Sequence, residues 1–183
     1  MPAPRVDSTD PRAERVRQLL REAAFALIEE RRVEQISVSD IAQRAGVSRQ
    51  AFYQHFRDRD DAVATAVAAS FRDTTTAEGD PIELIHRLGD YAAKHAVLYG
   101  NLYPSAASQQ AANAYRDLLR PACTRLAAEV LARRGRPADG TDALASFLIG
   151  GIMETARLWA EDATADDVRA RLDTCLAGIG IEP

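Results

Sequence analysis

The chain has 183 residues, 46% hydrophobic and 27% charged, with a net charge of −4. That length holds one ordinary domain, or a small domain sharing a core with a larger one, and the balance is globular with no low-complexity tract. No apolar run is long enough to span a membrane, and the acidic total excludes indiscriminate nucleic-acid binding unless positive charge is gathered locally.

Met1-Pro-Ala-Pro-Arg-Val-Asp-Ser-Thr-Asp10 lacks the apolar core of a secretion signal, so residues 1–10 read as a disordered leader and the protein is expected in the cytoplasm. Asp10-Pro11 is an N-cap and first-turn pair, and Val16, Leu19, Leu20, Ala23, Ala24, Leu27 and Ile28 form the apolar stripe of a first helix. Ser37 and Asp40 make a capping box for a second helix carrying Ile41 and Ala45. Gly46 can take the positive φ that ends it, and Ser48 caps a third helix from about Arg49. There Phe52 and Phe56, four apart, pack inward, which turns Arg49, Gln50, Tyr53, Gln54 and His55 outward or toward the helix start. Asp58 caps a fourth helix through Val63, Ala66, Val67 and Phe71, and the polar segment 74–80 separates it from Pro81. Leu84, Ile85, Leu88, Tyr91, Ala92, His95 and Leu98 trace a fifth helix, with breaks at Asn101 and Pro104. From Ala106 to Arg134 the pattern is helical but interrupted at Pro121, which predicts a kink or two helices. After a loop at 133–140, one helix carries Leu144 to Trp159, and another opens at a Thr164/Asp167 capping box and carries Val168, Leu172, Cys175, Leu176 and Ile179. Strand signals are nearly absent; the fold class is all-α.

Two short helices around Gly46 with a polar outer face are a device for placing one helix in the DNA major groove, where Arg pairs with guanine and Gln with adenine. Charge supports this: residues 41–59 hold Arg44, Arg49, Arg57 and Arg59 against Asp58, a net +3, which leaves −7 for the rest of the chain. Ser39 and Arg44 are further phosphate candidates, and such contacts weaken with salt by counterion release.

Ile41-Ala42, Ala45-Gly46-Val47-Ser48, Phe52-Tyr53 and His55-Phe56, followed by Asp58-Arg59-Asp60-Asp61, closely resemble the TetR family of bacterial transcriptional repressors. The first helix fits the same pattern, so the resemblance covers about residues 12–63. Departures are Arg32, where the family has Gly, Arg59 for Lys, and Ala62 for a larger apolar residue. The resemblance implies an N-terminal three-helix helix-turn-helix domain over 11–60 and a helical effector-binding and dimerisation domain over 61–183. It implies DNA contacts from Ser48, Arg49, Gln50, Tyr53, Gln54 and His55, with Arg59 in the place of a phosphate-binding lysine. It also implies a homodimer on a palindromic operator, with two reading helices about 34 Å apart. The last two helices would form its interface through Leu144, Leu148, Gly151, Ile152, Thr155, Val168, Leu172, Cys175 and Leu176. The Gly150-Gly151 pair, costly in mid-helix, points to close approach of another backbone; a helix packed within the chain explains it as well.

Tyr91, His95 and Tyr99, each four apart, form a stripe of polar-tipped rings that could line an effector cavity or simply edge a core, with Leu98, Tyr103, Phe147, Met153 and Trp159 as further wall. His86 and His95 are nine apart and point to opposite sides of one helix, so no shared metal is expected, and no cofactor. Cys123 and Cys175 read as buried small hydrophobes. No glycine-rich phosphate loop or nucleophile with a positioned base is visible, which disfavours an enzyme. The reading is a repressor released from DNA by a small molecule; the alternative is a DNA-binding activator or regulator without an effector.

Overall fold

The helices begin where short polar side chains meet the orphan amides of a first turn. In the computed structural model, which describes residues 10–74, 79–159 and 164–181, Asp10 accepts from the Arg12 amide and Pro11 opens α1 (Pro11–Glu30). The leader, Asp10 apart, lies outside the described residues. A short 3-10 turn (Val33–Gln35) leads to Ser37, which forms its capping box with Asp40 and starts α2 (Val38–Arg44). Gly46 takes φ +69°, and Ser48 accepts from the Ala51 amide to start α3 (Arg49–His55). Asp58 accepts from the Asp61 amide at 2.8 Å in the first turn of α4 (Arg59–Thr74). Asp80 caps α5 (Pro81–Lys94); α6 (Ala96–Leu102) and α7 (Ala106–Arg133) follow. α8 (Thr141–Trp159) and α9 (Ala165–Gly178), the latter opened by the Thr164/Asp167 capping box, close the chain. The described residues contain no strand.

Three expectations change. The fifth helix does not reach Leu98: His95 leaves helical geometry at φ −111°, ψ 34°, so Leu98 and Tyr99 belong to α6. Asn101 does not break the chain; it lies inside α6, and its amide donates to the Ile28 carbonyl at 2.8 Å, satisfying an orphan acceptor near the end of α1. Of the two alternatives at Pro121, two separate helices do not form: α7 runs 28 residues through it, with the ring on the exposed side where water can serve the carbonyl deprived of its amide. Arg32, standing in place of a family glycine, has φ −59° and needs no left-handed backbone.

The chain forms two compact units, so its division is not a single cut: one runs to Ser70 and takes in Gly100–Ala112, the other holds Phe71–Tyr99 and the chain from Asn113. In the first, α1, α2 and α3 pack on one another around fully buried Leu20, Ala24, Ile28, Val33, Ile41 and Phe52. In the second, α5 packs chiefly on α9 and also on α8, burying Ile85, Leu88, Val168 and Leu172. Gly89 lets α5 and α9 close in: a Cβ there would stand 3.0 Å from both Leu172 Cδ1 and Val168 Cγ1. Polar ties flank this seam, Arg169 on Asp90 and His86 Nε2 on Asp173 Oδ1 at 2.6 Å.

Candidate nucleic-acid interface

The α2–turn–α3 unit is fixed from both ends. The Asp40 amide donates to Ser37 Oγ at 3.2 Å, and the Ser37 amide and hydroxyl both donate to Asp40 Oδ2 at 2.8 Å, which together with Arg31 holds the Asp40 carboxyl below its usual range. The Gly46 amide donates to the Gln43 carbonyl and the Val47 amide to Ala42, ending α2 as a left-handed glycine cap does. Below α3, Phe52 and Phe56 are buried with ring centroids 5.7 Å apart, and Phe52 meets Tyr53 edge-on at 5.4 Å.

What remains outside is Arg49, Gln50, Tyr53 and Gln54, all exposed, with Tyr53 39% accessible despite its ring contact. Ser39 is exposed on α2. Ser48 is exposed too, but its oxygen already serves as the α3 cap. His55 is half-buried, and burial, followed by the nearby Arg17 charge, lowers its pKa, so it stands neutral near pH 7. It shares a recess of about 270 Å³ with Gln54, Val16 and Arg12. Arg12 is a neighbour the sequence reading missed; the Asp10-Pro11 start placed it on α1, but not beside α3.

The nearby arginines are largely engaged. Arg44 grips Glu30 through both guanidinium ends at 2.7 Å, holding that carboxyl below its ordinary range. Arg59 donates to Asp60 at 2.9 Å and to the Ile36 carbonyl at 3.3 Å, tying the start of α4 to the turn before α2. Arg57 pairs with Asp61. Among the described residues Arg49 alone of these four meets no carboxylate.

The residues expected around an effector fall in different surroundings. Tyr91 and Tyr99 are buried with Tyr115, and burial, followed by the two neighbouring phenols, pushes the Tyr115 phenol far up. Phe71 meets both Tyr91 and Tyr115 edge-on, and Tyr91 stacks on His95 at 4.5 Å, so the stripe is packed against neighbouring rings. Leu98 is buried and Met153 half-buried; Tyr103 falls in the first unit, and the Trp159 side chain lies outside the described residues. Phe147 is 68% exposed and faces solvent rather than a cavity wall.

The expected self-association residues divide similarly. Leu148, Ile152, Thr155, Val168, Leu172 and Leu176 are buried within the chain, in the packing of α5, α8 and α9. Leu144 is half-buried; Gly151 and Cys175 are exposed, the latter against the expectation of burial, whereas burial raises Cys123 to about 11. On α8 the outward strip is Ala143, Phe147, Gly150 and Gly151, and among the described residues nothing stands within 4 Å of a Cβ added to either glycine. Packing among the described residues therefore does not account for the pair.

A glycine-turned helix pair with a polar, basic-headed second helix over a phenylalanine anchor defines a helix-turn-helix DNA-binding domain. Residues 20–66 match the family model described as bacterial regulatory proteins, tetR family. These residues are a TetR-family DNA-binding domain, and the chain has the fold of that family's transcriptional regulators. Similar solved structures include a dihydroxyacetone kinase operon activator, DhaS, at 15% identity over 89% of this chain and 94% of that one, with a TM-score of 0.62. A tetR-family transcriptional regulator from Streptomyces coelicolor is 19% identical over 91% of this chain and 80% of its own, with a TM-score of 0.61. The fatty acid degradation regulator FadR from Bacillus halodurans is 16% identical over 95% and 97%, with a TM-score of 0.56. No curated protein is significantly similar in sequence. Among the described residues there is no metal-binding cluster, and no helix is long and apolar enough to cross a membrane.

Proposed function

We propose that this chain is a cytoplasmic homodimeric transcriptional repressor that reads a palindromic operator and is released from it by a small molecule bound in the second unit. The observation that carries the reading is the outward side of α3, where Arg49, Gln50, Tyr53 and Gln54 stand exposed over buried Phe52 and Phe56. Arg49 and Gln50 carry the base-edge chemistry; Tyr53, Ser39 and Ser48 suit phosphates, with neutral His55 and Arg12 beside them. Self-association is supported by exposed Phe147 next to two glycines with open space above them, a surface on which a second α8 could approach closely. Effector release would couple the two sites by roughly 1–3 kcal/mol.

The test is fluorescence anisotropy of the full chain with duplexes from the palindromes nearest its own coding region, at two salt concentrations. Salt-sensitive, sequence-specific binding by dimer is expected, and its absence at every such site overturns the reading. The sign of regulation has a second candidate, since one similar structure belongs to an operon activator; a reporter driven from the bound site decides between them.

A further inference from the structure

Within the second unit, a cleft of about 430 Å³ opens between the start of α5 and the middle of α7. Its floor is apolar, with Pro81 and Leu84 from α5 and Leu118, Pro121 and Ala122 from α7. Its rim is charged, and most of that charge is committed: Asp80 caps α5, Glu83 receives Arg87 at 3.1 Å, and Arg72 has an interaction of its own. Two rim groups are different. Arg125 donates only to the neutral Gly79 carbonyl, at 2.7 Å, and among the described residues neither it nor Asp117 has an ion pair. Both are exposed, so both are open to a ligand, and the water each gives up on binding has to be replaced by an opposite charge.

Asp117, Pro121 and Arg125 are spaced i, i+4, i+8, so they lie along one side of α7, with the two charges about 12 Å apart along the axis and apolar surface between them. A purely anionic ligand would satisfy Arg125 and face Asp117 unmatched; a purely cationic one would do the reverse. We propose that this cleft binds a bipolar small molecule, with an anionic head at Arg125, a cationic or amine end at Asp117 and an apolar body across Leu118, Pro121 and Ala122. The proposal rests on the reading of the second unit as the effector-binding part, and names the place and chemistry of that effector.

Isothermal titration of the full chain with 8-aminooctanoate, octanoate and octylamine tests it. The zwitterion is expected to bind at least tenfold tighter than either singly charged analogue. Arg125→Gln should bring it down to octylamine, Asp117→Asn down to octanoate, and Leu118→Trp, which fills the cleft, should abolish binding of all three. Operator binding without ligand checks that each variant folds. Equal affinities for the three probes, no binding, or a zwitterion preference that survives both charge variants would overturn the proposal. The two readings fail separately: if the zwitterion binds as described but leaves operator affinity unchanged, the site stands and effector release falls. If other small molecules release the operator from Arg125→Gln, Asp117→Asn and wild type alike while these probes do not bind, the site falls and effector release stands.

Discussion

His55 is the residue whose chemistry depends most on where the fold puts it. Burial and Arg17 lower its pKa below the ordinary value near 6.5, so between that lowered value and 6.5 the unfolded chain binds a proton the folded chain does not. Stability is therefore expected to fall as pH drops through that window and to be insensitive to this group above it. Melting temperatures at pH 7.5, 6 and 5 check this, and His55→Gln should flatten that part of the profile. Replacement of Arg49 by Ala should cost operator affinity on the order of 1–3 kcal/mol per head and relax the preferred sequence, with folding unaffected because the residue is exposed. Anisotropy against operator variants reads both effects. Ser48→Ala loses the α3 cap, and should lower stability by about 1 kcal/mol in a denaturant titration.

Among the elements, what the sequence disclosed was local. Caps at Asp10, Ser37, Ser48 and Thr164 and the glycine turn at 46 are encoded within four residues, and each stands where the pattern put it. The partners of charged groups are not local: Glu30 and Arg44 are 14 residues apart, and His86 and Asp173 are 87. Periodicity identified the apolar stripes of α8 and α9 without saying what covers them, and six of the nine residues expected at a dimer face are buried within the single chain. The Tyr91–His95–Tyr99 spacing was regular, yet the chain turns at His95 and the rings close on Tyr115. The α5–α9 seam gives the prediction at this scale. Gly89→Val would drive two further carbons into Leu172 and Val168, and is expected to destabilise the chain by about 1–3 kcal/mol or more, seen as a lower denaturation midpoint.

At the scale of the molecule, the question is what meets the outer strip of α8. In an isolated chain, Gly151→Gln should be neutral or stabilising, up to about 1 kcal/mol from helix propensity, because nothing occupies the space above it. If a second copy approaches there, the same substitution should convert dimer to monomer by light scattering and weaken operator binding, with helix content by circular dichroism unchanged. An unchanged dimer would place the interface elsewhere.

Arg44, Arg57 and Arg59 reach any duplex already matched by Glu30, Asp61 and Asp60, on a chain whose total charge is negative. Such a surface has little long-range pull on an arbitrary stretch of chromosome, so its hold there is brief and its search for a target proceeds by repeated collision from solution more than by sliding. On the proposed reading, few copies would then be held on irrelevant DNA, leaving more of the protein free to meet an operator.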